Sequence, residues 1–259
     1  MFIFFDTETT GLEYKDQIIQ LSYIITDDKF DILEAKNYFF DVDVEIAVEA
    51  TQVHGIDKEK LLKLSGGNKF KDYAKDILWD FQNAKVISHN IDFDTRFLKM
   101  EFERIGKGLS LNKTFCTMKN YEDVLEIPHH YYGIKWPKLS EVVEYIQLDI
   151  NNLKMKAIQL FGETGEFHDA RLDVYSTYEI YKALRECVMT KHIGKVKEQI
   201  SNLVTESNAE CVDDIVRELS KLRDIVNLID DFEGKKEEFI RSYLEPSGFA
   251  NIDDDDIPF

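Results

Sequence analysis

The chain has 259 residues, and its 18 Phe and 12 Tyr against only 4 Pro and 12 Gly exclude a disordered composition. Its formal net charge of −18 argues against a protein that coats nucleic acid by charge alone, because phosphate neutralisation requires basic surfaces. A nucleic-acid partner would have to be bound locally, through metal ions, stacking and a few cationic side chains.

The cysteines and the apolar runs bear on the compartment. Cys116, Cys187 and Cys211 form no CxxC pair, which is typical of a reducing compartment. The start lacks the pattern of a signal peptide, and no apolar run approaches the roughly 18 residues of a membrane span. We therefore expect a cytoplasmic protein.

Three strand-like runs come first. Met1 to Phe5 is a short apolar run rich in aromatic residues, residues 17–26 form the second run and residues 37–44 the third. Short turns around Asp27 and Asp31 separate the last two. These features predict an antiparallel meander.

Strands then alternate with helices. Apolar residues at helical spacing predict helices at 69–81, 92–105, 139–146 and 171–184. Short apolar runs predict strands at 85–88 and 112–117. Strands followed by alternating strands and helices predict an α/β fold with a mixed sheet flanked by helices.

The pattern changes again after residue 188. Apolar residues recur at steps of three or four from 193 to 229, which predicts a helical appendage over residues 189–246. Its apolar seam could pack on the main domain or on itself, or it could form a dimer interface. The predicted organisation is a domain at 1–188, this appendage, and a flexible acidic tail at 247–259.

A pair of carboxylates follows the first predicted strand. Asp6 and Glu8 are two positions apart, so on a strand they point to the same face. Two like charges about 4 Å apart repel by roughly 4 kcal/mol at an effective dielectric constant near 20. The pair favours a divalent cation such as Mg²⁺ or Mn²⁺. One buried structural Asp beside one exposed Glu would give the same pattern.

Two later stretches offer further acidic groups. Asp92 and Asp94 lie where a predicted strand meets a helix, and Asp173 lies in the last predicted helix of the domain. His168 precedes Asp173 by five residues and could reach the same cleft from the preceding loop. Taken alone, such a His is more often a satisfied surface or core residue.

Together these stretches resemble the DEDDh branch of the DnaQ-like 3′→5′ exonucleases, the family of the bacterial replicative proofreading subunit. The matching motifs are Asp6-Thr7-Glu8-Thr9-Thr10-Gly11, His89-Asn90-x-x-Phe93-Asp94 and His168-x-Ala170-x-x-Asp173. The resemblance covers roughly residues 1–188. His168 separates this branch from the one that uses a tyrosine, and Ile91 departs from the small residue that is usual there.

The resemblance implies a ribonuclease H-like fold and a two-metal phosphodiester hydrolase. Such an enzyme releases nucleoside 5′-monophosphates from the 3′ end of single-stranded or frayed DNA, in replication, proofreading or repair. Two divalent ions, Mg²⁺ or Mn²⁺, would be held by four carboxylates: Asp6, Glu8, Asp94 and Asp173. His168 would take a proton from the attacking water, since an unperturbed pKa of about 6.5 suits a base at neutral pH.

The resemblance also implies where the terminal nucleotide is gripped. The family uses backbone and apolar side-chain groups just after the first carboxylates, and the corresponding residues here are Thr9, Thr10, Gly11 and Leu12. His54 and Asn90 are expected beside them. Stacking would make this grip tolerant of base sequence.

The last residues resemble the acidic tip of bacterial single-stranded DNA-binding proteins, where the terminal Phe enters an apolar pocket. The resemblance implies docking to replication or repair proteins in a bacterial or phage setting, through Asp255, Asp256, Ile257, Pro258 and Phe259. A solvated acidic tail without a partner and a self-inhibitory tail are the alternatives.

Two other functions stay open at this point. An RNA-trimming 3′→5′ exoribonuclease would use the same chemistry, because no residue read so far tests the sugar 2′-hydroxyl. A non-catalytic adaptor would use the fold and the tail only to bind partners. Four mutually repelling carboxylates argue against the adaptor, since binding does not require them.

Overall fold

The computed structural model describes residues 1–185, with gaps at 83, 112 and 130–132. It does not describe the side chains of residues 123, 128 and 129. The predicted appendage at 189–246 and the acidic tail at 247–259 lie outside the described residues.

Five strands form a mixed sheet, which confirms the predicted fold class. They are β1 (Phe2–Thr9), β2 (Ile18–Thr26), β3 (Ile32–Phe39), β4 (Lys85–Ser88) and β5 (Thr114–Cys116). Their order is β3-β2-β1-β4-β5, in which β1 pairs antiparallel with β2 and parallel with β4. The pairing of β4 with β1 stops at Phe4↔Ile87, so Asp6 and Glu8 lie just beyond the carboxyl end of β4.

The third strand begins earlier than the predicted span of 37–44. Asp27 closes a tight turn, because its carboxylate accepts the backbone N–H groups of Lys29 and Asp31, each at 2.9 Å. The chain therefore re-enters the sheet at once, and Ile32 pairs with Thr26. Val42, which was expected in this strand, instead belongs to a small apolar cluster beyond its end.

Eight helices of the described part are bounded within it. They are α1 (Val48–His54), α2 (Lys58–Ser65), α3 (Phe70–Phe81), α4 (Ile91–Arg104), α5 (Thr117–Asn120), α6 (Glu122–Leu125), α7 (Leu139–Tyr145) and α8 (Ile150–Phe161). A ninth, α9, covers 170–185 of the described residues. A short antiparallel pair, β6 (Pro128–His129) and β7 (Gly133–Ile134), precedes α7. None of the helices within the described ranges is long and apolar enough to cross a membrane.

The predicted helices at 69–81, 92–105 and 139–146 agree with α3, α4 and α7 within one or two residues, and the helix predicted at 171–184 begins within one residue of the start of α9. Helices α1, α2, α5, α6 and α8 were not predicted. No residue of α1 is buried, and α2 buries only Leu61 and Ser65. Elements with so little buried surface carry no apolar period to detect.

Aromatic side chains pack on both faces of β1. Phe4 contacts Tyr178 and Tyr181 of α9, with ring centroids 5.3 and 5.4 Å apart. Phe5, on the opposite face, contacts Phe81 of α3 at 5.2 Å. All five rings are at most 4% exposed. This packing holds β1 between two helical layers, and it therefore also fixes the residues that follow Phe5 along the strand.

Candidate active site

The alternation of side chains along β1 decides where its acidic groups point. Phe4 faces α9, and Asp6 and Glu8 lie two and four positions further on, so they share that face. Thr7 lies between them and shares the opposite face with Phe5. Glu8 is 8% exposed. The strand therefore delivers two carboxylates toward the helix that carries the third motif.

The helix α9 brings Asp173 to the same face. Asp173 is 6% exposed, and its Oδ2 accepts the backbone N–H of His168 at 2.9 Å. Its Oδ1 is buried and has no hydrogen-bond partner among the described residues. One ligand atom each from Glu8, His168 and Asp173 lie within 4.8 Å of one another. Residues 160 positions apart in the chain thus meet in one cluster.

The third-motif His occupies an unusual backbone conformation. His168 has φ = 70°, in the left-handed region that non-glycine residues seldom adopt. The hydrogen bond from its N–H to Asp173 holds the backbone there and lets the ring reach the cluster from the loop before α9. Burial lowers the pKa of His168, and the charge of Lys138 lowers it further, and both effects favour the neutral imidazole.

Asp94 reaches the site from the first turn of α4. Thr7 donates both its backbone N–H (3.0 Å) and its hydroxyl (2.6 Å) to Asp94 Oδ1. The Ser88 hydroxyl donates to Oδ2 at 2.5 Å. Asp94 is 2% exposed. Its carboxylate is thus anchored by neutral donors rather than by a cation.

The four carboxylates disfavour one another's charged forms. Burial raises the pKa of Asp6 and of Glu8 well above the ordinary range, and the charges of the neighbouring acids raise it further. Burial raises the pKa of Asp94 to about 7 and that of Asp173 to about 8, although the hydrogen bonds to each act in the opposite direction. The site therefore requires either bound protons or a cation to be stable.

The residues present fit a divalent metal ion. Two carboxylates and an imidazole lie within 4.8 Å, and the unpartnered Oδ1 of Asp173 offers a free ligand atom. Oxygen-rich donor sets suit Mg²⁺ and Mn²⁺. Asp6 and Asp94 line the same cleft but are outside this closest group of the described residues.

The cluster lies in a cleft of about 1330 Å³. Five of the six residues expected to contact substrate line this cleft: Thr9, Gly11, Leu12, His54 and Asn90. Thr10 does not, because it is fully buried and its hydroxyl donates to Asp16 Oδ1 at 3.1 Å. Its side chain belongs to the turn behind the cleft, and contact of Thr10 with substrate stays a prediction.

Gly11 is required by a close approach. A Cβ at this position would lie 2.5 Å from Asp16 Oδ2. That carboxylate is held in place, since it also accepts the Glu13 backbone N–H at 2.7 Å. Only glycine leaves the turn beside the cleft undistorted.

The sequence analysis missed an ion pair beside His168. The Arg171 guanidinium donates to both oxygens of Asp169, from Nε at 2.9 Å and from Nη2 at 2.7 Å. Asp169 also accepts the Gly165 backbone N–H and the Gln20 side-chain amide. Burial acts to raise the pKa of Asp169, but its bonds to Arg171 lower it overall. The only sequence signal was that both residues fall inside the third motif.

Comparison with known proteins places this geometry in a family. The family model RNase_T, described as Exonuclease, matches residues 3–181. A PolC-type DNA polymerase III from Caldanaerobacter subterraneus is 26% identical over 216 residues, or 81% of this chain and 13% of that protein. DNA polymerase III subunit epsilon from Buchnera aphidicola (strain Sg) is 31% identical over 137 residues, or 48% of this chain and 54% of that protein. The chain therefore spans about half or less of these relatives' own length.

A phage protein and a solved exonuclease structure are also similar to this chain. An uncharacterized exonuclease of Escherichia phage 186 is 27% identical over 162 residues, covering 60% of this chain and 80% of that protein. The crystal structure of E. coli Exonuclease I in complex with a dT13 oligonucleotide has a TM-score of 0.55 at 19% identity, over 71% of this chain and 40% of that one. At this identity the likeness establishes the fold alone.

Proposed function

The chain belongs to the exonuclease family, and on that basis we propose that it is a metal-dependent 3′→5′ exonuclease. Its reaction would be hydrolysis of the phosphodiester bond at the 3′ end of a single-stranded or frayed DNA, with release of a nucleoside 5′-monophosphate.

One observation carries this proposal. Ligand atoms of Glu8, His168 and Asp173 lie within 4.8 Å of one another, in a cleft that Asp6 and Asp94 also line. Buried like charges at such distances repel strongly, so a protein that only bound partners would gain nothing from them. They are useful when divalent cations and a phosphate occupy the cleft.

The carboxylates would hold two divalent ions, Mg²⁺ or Mn²⁺. When bound, such ions position the scissile phosphate, make a water more acidic and stabilise the leaving oxygen. Asp6 and Glu8 of β1 and Asp173 of α9 line one cleft and would hold the first ion, and Asp94 would support the second.

The chain's own residues supply proton transfer and orientation. Burial favours the neutral imidazole of His168, which would accept a proton from the attacking water. The bond from its backbone N–H to Asp173 fixes the loop that carries the imidazole. Thr7 and Ser88 fix Asp94 with neutral hydroxyls, so its charge stays available to a cation.

Similar proteins favour DNA as the substrate. Two of the three relatives above are named as DNA polymerase III chains, and the E. coli Exonuclease I structure contains a dT13 oligonucleotide. With a net charge of −18, this chain would grip the strand through Thr9, Thr10, Gly11, Leu12, His54 and Asn90 rather than through a basic surface.

A cleavage assay with matched variants tests the proposal. The full-length chain would be incubated with DNA and RNA oligonucleotides labelled at the 5′ end, with Mg²⁺ or Mn²⁺ and with EDTA. Asp94→Ala should reduce cleavage by orders of magnitude. Asp92→Ala, two residues away on the same helix, should leave it intact, because Asp92 is exposed and paired with Lys119.

The products decide the outcome. Stepwise shortening from the 3′ end of DNA supports the proposal, and preferential shortening of RNA would replace it by the exoribonuclease. Cleavage that persists in EDTA or in Asp94→Ala would overturn the mechanism.

We also propose, from the sequence alone, that Asp255 to Phe259 dock the enzyme to replication or repair proteins in a bacterial or phage cytoplasm. A deletion of Ile257 to Phe259 should abolish binding to proteins that recognise acidic Ile-Pro-Phe tips. Unchanged binding would leave the solvated or self-inhibitory tail as the explanation.

A further inference from the structure

An exposed tryptophan lies on the wall of the cleft. Trp136 lines the same cleft as the carboxylate cluster, yet 55% of its surface is exposed. Its indole N–H donates to Glu122 at 3.1 Å, which fixes the edge of the ring. Aromatic side chains that line a cleft are common ligand contacts, so the position of the ring in the cleft matters more than its exposure.

The segment around Trp136 is fastened to the second motif. His89, at the end of β4, contacts the carbonyl oxygen of Pro137 through Nε2 at 2.9 Å and the Thr117 hydroxyl through Nδ1 at 3.0 Å. Burial lowers the pKa of His89 to about 4, so the ring is neutral at pH 7 and donates from one nitrogen. Nε2 donates to the carbonyl oxygen and Nδ1 accepts from Thr117. Pro137 is buried. The indole is therefore held at a fixed place relative to Asn90 and Asp94.

The charge of the cleft does not favour binding of a substrate strand, so an aromatic contact that does not depend on charge is useful there. The carboxylates repel a nucleic-acid backbone wherever cations do not neutralise them. Two lysines lie near Trp136: Lys119 is 5.7 Å from the centre of its ring, and Lys138 lines the cleft two residues further on. Stacking contributes about 1–3 kcal/mol per base and does not depend on charge.

The size of the cleft also leaves room for more than one nucleotide. Its volume of about 1330 Å³ exceeds the roughly 300–1,000 Å³ of sites for single small ligands. Leu12, which is 74% exposed, lines it as well. A strand entering this cleft therefore meets an aromatic ring in addition to the residues next to the first motif.

We propose that Trp136 is a base-stacking residue that holds an unpaired base of the substrate strand. The inference rests on the proposed exonuclease function and adds a specificity determinant to it. A base must leave its duplex to stack on the indole, so Trp136 favours single-stranded or frayed ends over paired ones.

Fluorescence tests the contact directly, because the chain has two tryptophans. Trp79 is 75% exposed on α3 and does not line the cleft, so the full-length Trp79→Phe protein leaves Trp136 as the only indole. This protein would be titrated in Mg²⁺ with a phosphorothioate-linked (dT)6, which resists hydrolysis, and with an abasic strand of the same length. We expect quenching by (dT)6 and little quenching by the abasic strand.

Kinetics give a second readout on single-stranded DNA. Trp136→Ala should raise KM about 5- to 150-fold, the range that alanine substitution of a stacking residue produces. It should change kcat much less. Trp136→Phe should recover most of the loss, and Trp79→Ala, the matched control on the distant helix, should behave like the wild type.

Each outcome bears on one claim. Equal quenching by both strands, no quenching, or an unchanged KM in Trp136→Ala overturns the stacking role, whether or not the wild type cleaves DNA. A wild type that cleaves no oligonucleotide overturns the proposed function instead, while base-dependent quenching would still support the stacking contact.

Discussion

Replacing Asp173 by Asn should stabilise the metal-free protein at pH 8. Burial raises the pKa of Asp173 to about 8, far above the value near 3.9 that applies in the unfolded chain. A raised pKa contributes stability that is fully present below the unfolded value and is lost as the pH rises through the folded value. The Asn side chain never carries the charge, so the advantage of the variant should grow between about pH 4 and pH 8.

The magnitude follows from the distance between the acids. Ligand atoms of Glu8 and Asp173 lie within 4.8 Å, and two unit charges at that distance repel by about 3.5 kcal/mol at an effective dielectric constant near 20. An Asn oxygen can still accept the N–H of His168, so little is lost in exchange. We expect a gain of about 2–3 kcal/mol in the free energy of unfolding, or roughly 4–12 °C in Tm for a chain of this size.

A neighbouring acid supplies the matched control. Asp169 is paired with Arg171, whose side chain is 8% exposed, and this pairing lowers its pKa overall. Asp169→Asn removes one partner of a mostly buried ion pair while Arg171 keeps its ion pair with Glu163 at 3.0 Å, so the substitution should cost about 1–3 kcal/mol. Two identical substitutions four residues apart should therefore change stability in opposite directions.

Thermal unfolding of the full-length proteins in EDTA, across pH 5 to 8, measures both effects. The scans would be repeated with Mn²⁺, which should stabilise the wild type by about 2.7 kcal/mol at a hundredfold excess over its Kd and should stabilise Asp173→Asn far less. If Asp173→Asn is destabilised in EDTA at pH 8, or keeps the full Mn²⁺ effect, the account of the site as a repelling, cation-binding cluster is wrong.

Three further substitutions give independent checks. His89→Gln should remove a pH dependence of stability, because the pKa of His89 is lowered to about 4 in the folded wild type, which therefore loses up to about 3 kcal/mol of unfolding free energy as the pH falls from 6.5 to 4. Urea unfolding at pH 4 and pH 7 measures this loss, and equal losses in the wild type and the variant would contradict the prediction. His168→Ala should reduce kcat about 10²- to 10⁴-fold while the Mn²⁺-induced rise in Tm persists, since we assign it as a base; loss of that rise would make it a ligand. Gly11→Ala should destabilise the protein by about 1–3 kcal/mol in urea unfolding, because its Cβ would lie 2.5 Å from the Asp16 carboxylate, and an unchanged midpoint would refute this close approach.

Much of the fold could be predicted because the apolar patterns of the main strands and helices are strong and local. The apolar start became the central strand β1, and the alternation along it places Asp6 and Glu8 on one face. The helices α3, α4 and α9 carry a buried apolar side, which gives a clear period in the sequence. The fold class and the main helices follow from these patterns.

Other features depend on contacts that no local pattern reveals. The start of β3 is set by the Asp27 turn, and a strand of mixed burial such as Ile32–Phe39 shows no clean alternation. Likewise, Thr10 follows the cleft residue Thr9, but only its hydrogen bond to Asp16 shows that it turns inward. These positions depend on tertiary contacts, so they cannot be predicted from the local sequence.

The two acids of the third motif show how the fold keeps its site functional. An arginine paired with Asp173 would relieve the repulsion, but it would also occupy the position that a divalent cation needs. Arg171 is instead directed to Asp169, which it holds with two hydrogen bonds beside the His168 loop. Among the described residues, Asp94 likewise receives hydroxyl and amide donors and no cation. The carboxylate cluster therefore destabilises the metal-free chain, and the aromatic packing on both faces of β1 offsets this destabilisation.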